Sequence, residues 1–309
     1  MVIKYQYIVI CLKNEGNRMY IWDKLDINPL PYSKERAEQL TRFGRYVYYS
    51  YYFNKYIGAI ISGMFGIGKS MTALHLGREI AQAIYGVNEE QGLQIALQNT
   101  LFTMDEVLGA TKNLGTVEQW KNTDPYKAHQ LASSLRKPFY IWDDAGMHGS
   151  KYKHFLDMAE SYDLQSNFDT IRDVTSCIIM TVPEDEELLK FLRSYRGNYS
   201  VEIIALDGGE SSYDRKLEFW KYGKDSQGRK KKYKKWVSAP FSIHVPQPYY
   251  GQYRIMKNVA KLENFERYEE KKKEREIYNK YRLLKLKMMS KKIEDGSMIE
   301  DDDVSNVES

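Results

Sequence analysis

Apolar residues cluster in four short continuous runs, "YIGAIIS" at 56–62, "PFYIW" at 138–142, "SCIIMTV" at 176–182 and "NYSVEIIAL" at 198–206. Such runs, bounded by glycine, proline or acidic residues, predict strands buried on both faces. Between them the spacing changes to that of helices. One is expected from a Ser33 cap to about Asn54, one through "SMTALHLGREIAQAIY" ended by Gly86, others over "MDEVLGATKN", "HFLDMAESYDLQSNFDTIRD" and "PEDEELLKFLRSY". Strands alternating with helices give an α/β chain with a mainly parallel sheet. Beyond 210 the pattern alters. "DRKLEFWKY" and "KKKYKKWV" flank "GKDSQG" as a hairpin, "FSIHVP" offers one more strand, and a long charged helix follows.

This divides the chain into an N-terminal arm of strands at 1–32, a core at 33–210, a basic β-hairpin extension at 211–250, a charged helix at 251–292 and an acidic tail at 293–309. From Glu294 onward the tail carries seven acids and no base, a composition that cannot bury enough apolar surface to order itself. The tyrosine-rich "RYVYYSYYFNKY" at 45–56 reads as an aromatic helix lying on the sheet.

Of 309 residues, 42% are hydrophobic, enough for an ordinary core, and no stretch has the roughly 20 apolar residues of a membrane span. The N-terminal run lacks a signal-peptide cleavage pattern. Two distant cysteines, Cys11 and Cys177, fit buried free thiols and a reducing cytoplasm.

The candidate chemistry begins where the first run ends. "GMFGIGKS" at 63–70 fits G-x-x-x-x-G-K-[ST]. Glycines let the backbone turn tightly and aim N–H groups inward at phosphate oxygens, and the following helix adds its positive end. Gly63, Met64, Phe65, Gly66, Ile67, Gly68, Lys69, Ser70 and Met71 are the expected phosphate-loop residues. Lys69 would reach the β- and γ-phosphates, and the Ser70 hydroxyl is a hard ligand for Mg²⁺. The second run ends in Asp143 and Asp144. Asp143 is the expected metal carboxylate opposite Ser70. Asp144 would polarise the attacking water, a role more often given to the longer glutamate. "DDAG" also fits the D-x-x-G of GTPases, but no N-K-x-D motif follows a later strand, which favours ATP.

Thr181 ends the third run where P-loop ATPases sense the γ-phosphate or hold the water; β-propensity alone would also put a threonine there. Arg193, or Arg196 after it, could serve a neighbouring subunit as an arginine finger, or simply pair with a helix C-terminus. Six of the seven residues from Arg229 to Lys235 are basic. Arg229, Lys230, Lys231, Lys232, Lys234 and Lys235 could contact phosphates, with Tyr233 and Trp236 stacking on bases. The competing reading is an edge strand guarded by lysines.

The order "GMFGIGKS", "LFTMDEVL", "FYIWDDAG", "IRDVTSCIIMTVPEDEELLKFLRS" resembles P-loop ATPases of archaeal viruses and plasmids, which are similar to AAA+ replication initiators and helicase loaders. The resemblance covers about 35–206. It implies a three-layer P-loop NTPase that uses ATP and Mg²⁺, acts on DNA or a DNA-bound partner, and works as a homo-oligomer. A DNA translocase of the FtsK–HerA kind and a nucleotide-dependent switch or kinase remain the alternatives.

Overall fold

The protein is described here by a computed structural model covering residues 27–111, 114–145, 158–184, 188, 190–194, 197–206, 213–224 and 230–294. The expected N-terminal strands, Cys11, Arg196, the hairpin turn with Arg229, and residues 295–309 lie outside those residues.

The four apolar runs form strands where the sequence places them, β1 (Ile57–Ser62), β3 (Tyr140–Trp142), β4 (Cys177–Thr181) and β5 (Asn198–Ala205), and a two-residue strand outside those runs, β2 (Thr100–Leu101), precedes β3. β6 (Asp214–Lys224), β7 (Lys230–Val237) and the short β8 (Phe241–Ser242) follow. The sheet runs β2-β3-β4-β1-β5-β6-β7, with β8 paired to β6. β1 to β5 are parallel to one another, whereas β6 returns antiparallel to β5, and both β7 and β8 run antiparallel to β6. β4 therefore separates β1 from β3, and the basic hairpin continues the same sheet.

All six residues of β1 are buried, as a central strand demands. Alternate side chains supply two cores. Ile60, Trp142, Ile178 and Met180 pack with Leu164, Phe168 and Ile171 of helix Met158–Val174. On the other side, helix Lys69–Tyr85 approaches β3 so closely that a Cβ on Gly77 would lie 2.9 Å from Phe139 and 3.0 Å from Ile141. Helices on two faces of a mixed, mostly parallel sheet are compatible with a three-layer α/β fold. Gly86 ends helix Lys69–Tyr85 at φ 69°, the left-handed conformation expected of it.

The helix expected from Ser33 to Asn54 is two helices, Lys34–Glu38 and Arg42–Tyr52. Ser33 does cap the first, accepting from the Arg36 N–H at 3.2 Å. The chain then breaks because Thr41 starts a new helix. Its Oγ1 accepts from the Gly44 N–H and donates to Glu79 Oε2 at 2.8 Å, so the restart is tied to helix Lys69–Tyr85. The second helix lays Phe43, Val47 and Tyr48 into the core and gathers Tyr32, Tyr49, Tyr52 and Phe53 into an aromatic cluster.

The chain separates into two compact units, 1–255 and 256–309. The second, over its described residues, consists of the continuation of helix Gln247–Glu294. Among the described residues no helix is long and apolar enough to cross a membrane.

Candidate active site

Three parallel strands end side by side: β1 leads into the glycine loop, β4 ends on Thr181 and β3 leads into Asp143. In parallel α/β sheets this carboxyl edge is where ligands collect. Gly63 leaves β1 at φ 148°, its N–H donating to Pro183 O at 3.0 Å. Gly66 turns at φ 84° and Gly68 at φ 97°. Met64 and Phe65 stand exposed at the tip. Gly68 has two reasons to be glycine: its φ lies in the left-handed region, and a Cβ would fall 2.2 Å from Ile243 Cδ1. The following helix begins its ladder with the Thr72 N–H donating to Gly68 O, so the amides of residues 69 to 71 precede the ladder at the positive helix end. Met71 is half-buried in that first turn.

Lys69 folds back over the loop. Its ammonium donates to Gly63 O at 2.7 Å and Met64 O at 3.0 Å and lies 5.2 Å from the Phe65 ring centroid.

Asp143 is fully buried, and three hydroxyls satisfy its carboxylate. Ser70 Oγ donates to Oδ1 at 2.7 Å, Thr181 Oγ1 donates to the same oxygen at 2.6 Å, and the Tyr253 phenol donates to Oδ2 at 2.7 Å. A buried carboxylate is tolerable only when it is paired in this way. The expected Ser70–Asp143 pair is thus in direct contact across 73 residues of sequence. Thr181 also accepts the Asp144 N–H at 2.9 Å, so it orients both acids. Asp144 itself has φ 53°, a left-handed turn that aspartate tolerates better than most residues.

Sequence reasoning missed two residues here. Tyr253, in the first turns of helix Gln247–Glu294, reaches Asp143 from 110 positions away. Arg215 of β6 is buried, and its Nε–H donates to Ile67 O at 3.0 Å, bracing the loop from outside. No local pattern marks either one. With Ile243 against Gly68, the extension beyond β5 forms part of the wall of the glycine loop.

The remaining candidates lie elsewhere. Arg193 sits half-buried in the short helix Lys190–Ser194, its Nε enclosed without a hydrogen-bond partner, and makes no described bond to the loop or to Asp143. The basic strand β7 is an edge strand. Lys232 pairs with Glu202 at 2.7 Å and Lys234 with Glu218, and both ammoniums lie over the Trp220 ring. Those two lysines are engaged within the sheet as cross-strand pairs. Lys231 and Lys235 are exposed, and Tyr233 is half-buried over Gly223. Trp236 is not a base-stacking face, contrary to expectation. It stacks on Phe219 at 4.6 Å and 15°, Phe219 stacks on Phe43 at 5.5 Å, and the Arg42 guanidinium lies 4.8 Å from the Trp236 ring. The apolar core claims the ring because it falls on the inward side of the strand.

Helix Lys69–Tyr85 also carries His75. Burial, with help from the nearby Arg78 charge, lowers His75 from 6.5 to about 4. Its Nδ1 lies 2.7 Å from Arg78 Nη2, which can only donate, so Nδ1 accepts and the ring is neutral. The ring stacks on Phe241 of β8 at 4.8 Å.

Compared with known proteins, the chain matches no family model and no curated sequence.

Proposed function

We propose that the chain is a Mg²⁺-dependent P-loop ATPase of the class with an added strand between its two nucleotide motifs, acting on DNA or a DNA-bound partner. The observation that carries this reading is the 2.7 Å bond from Ser70 Oγ to Asp143 Oδ1. It brings the end of the glycine loop and the end of β3 to one point, with β4 between their strands.

The donor set fits the metal. A serine hydroxyl and a carboxylate are hard oxygen ligands, suited to magnesium. Among the described residues no three His, Cys, Asp or Glu side chains converge. That suits an ion that keeps its waters and borrows phosphate oxygens better than one needing a protein cage. Bound there, magnesium would be held by Ser70 and Asp143 and would supply charge neutralisation for the phosphates.

The chain's own residues supply the rest. The loop amides and the helix end present N–H donors to phosphate oxygens. Lys69 exchanges its two loop carbonyls for phosphate oxygens. Thr181 holds Asp143 and the Asp144 backbone in register. Asp144 accepts a proton from the attacking water. The nucleic-acid part of the reading rests on Lys231 and Lys235, exposed on the edge strand.

Calorimetric titration with ATP and Mg²⁺, followed by phosphate release with single-stranded DNA, duplex DNA and none, tests this directly. We expect binding heat and turnover in the native chain and neither turnover nor DNA stimulation in Lys69→Ala. Undiminished turnover in that variant would overturn the assignment.

A further inference from the structure

One short stretch of chain touches both halves of the candidate site. Ile243 sits against the glycine loop, where a Cβ on Gly68 would lie 2.2 Å from its Cδ1. Tyr253 reaches the acid at the end of β3, donating to Asp143 Oδ2 at 2.7 Å. Residues 243–253 therefore bridge the ends of β1 and β3, two strands with β4 between them. Between the two contacts the stretch tightens into a helix start. Pro246 O accepts from the Tyr249 N–H at 3.1 Å and the Tyr250 N–H at 3.0 Å, opening helix Gln247–Glu294.

The phenol bears on how Asp143 is held. Ser70 and Thr181 both donate to Oδ1, whereas Tyr253 donates to Oδ2. Donors on both oxygens fix the plane of the carboxylate, which bonds to Oδ1 alone would leave freer to turn. The Tyr253 ring is itself fixed, buried with its centroid 5.8 Å from that of Phe102. Hydrogen bonds that orient a ligating carboxylate strengthen its hold on a metal, because the ligand need not be ordered on binding.

The docking of these turns is closely balanced. Gln252, beside Tyr253 in the chain, is buried, and its Oε1 has no hydrogen-bond partner among the described residues. Leaving such an acceptor unsatisfied costs about as much as a hydrogen bond to a charged group contributes. The Tyr253–Asp143 bond thus offsets the burial of Gln252. A modest added free energy then shifts the fraction of molecules in which these turns are docked.

We infer that Tyr253 is a positioning residue of the metal site, and that through it magnesium–nucleotide binding tightens the docking of residues 243–253. The inference rests on the nucleotide reading above. Its sign follows from linkage. Whatever factor the phenol lends to metal affinity, the bound metal returns to the phenol's contact.

Hydrogen–deuterium exchange of the full chain tests it. The ligand is a saturating, non-hydrolysable ATP analogue, with magnesium or with a chelator. With magnesium, amides of the loop 63–71 should be protected, and those of 251–255 should exchange about tenfold more slowly than with chelator. Tyr253→Phe, with its helix content verified by circular dichroism, should keep the loop protection and lose the slowing at 251–255. No loop protection in the native chain would overturn the nucleotide reading and this inference with it. A protected loop with 251–255 unchanged would overturn the coupling alone. So would slowing as large with chelator as with magnesium, or as large in Tyr253→Phe as in the native chain.

Discussion

The Tyr253 hydroxyl donates to Asp143 Oδ2 at 2.7 Å, and both residues are buried. The first turns of the last helix thereby complete the hydrogen bonding of the carboxylate that Ser70 and Thr181 hold from the other side. Tyr253→Phe keeps the ring that packs 5.8 Å from Phe102 and removes only this donor. A hydrogen bond to a charged group contributes about 1.5–3 kcal/mol. We expect a loss of that size in denaturant unfolding, together with weaker Mg²⁺-dependent ATP binding by calorimetry. A variant as stable as the native chain would show that the hydroxyl does not matter to Asp143.

Asp144→Asn should leave ATP binding intact and slow hydrolysis by about a hundredfold or more, as for loss of a general base. The substitution is a fair test because asparagine accepts the φ of 53° as readily as aspartate. The measurement is single-turnover phosphate release beside an ATP titration. Loss of binding would mean that Asp144 belongs to the cradle and not to the chemistry.

Much of this site can be read along the chain, and what cannot has a physical reason. Lys69, Ser70, Asp143 and Thr181 announce themselves because each follows or ends a continuous apolar run, and parallel strands carry such ends to one edge. Tyr253 and Arg215 are silent because their roles depend on which strands neighbour β1, and chain-reversing connections set that order. Trp236 misleads for the same reason. On paper it belongs to a basic run, but the bulge between Phe219 and Trp220 fixes which β7 side chains face the core. The single helix expected at 33–54 fails at Thr41, whose cap is set by Glu79, 38 residues away.

Gly68→Ala should destabilise the chain by about 2–4 kcal/mol, from left-handed strain and displacement of Ile243. Ile243→Val deletes the offending Cδ1 at a cost of about 1 kcal/mol. Chemical denaturation of the double variant should therefore show less than the sum of the single losses. Strict additivity would put the whole effect in the backbone.

His75 gives the fold a pH dependence of known sign. Its folded pKa of about 4 lies below the ordinary 6.5, so the unfolded chain binds the proton first. The stability tied to the neutral ring is fully present above pH 6.5 and is lost as pH falls toward 4. The loss is at most about 3 kcal/mol at 1.36 kcal/mol per unit. Buried Glu79, whose carboxyl burial raises, works in the opposite sense over its own range, so the comparison must be with His75→Phe. That variant should unfold at lower pH than the native chain when acid titration is followed by circular dichroism.

The edge strand separates two kinds of lysine. Lys231→Ala with Lys235→Ala should weaken DNA binding and flatten its salt dependence, by about 0.9 in log–log slope per lost phosphate contact. Lys232→Ala with Lys234→Ala should leave that slope in place, since those ammoniums already neutralise Glu202 and Glu218. Fluorescence anisotropy against salt concentration distinguishes them, and equal effects from both pairs would deny the division.

Because the Asp143 carboxylate takes a proton donor from Tyr253, a nascent chain cannot finish the hydrogen bonding of that carboxylate until synthesis has run 110 positions past it. Fragments cut short of that tyrosine would carry the whole glycine loop, Ser70 and Thr181 and still leave the aspartate one proton donor short.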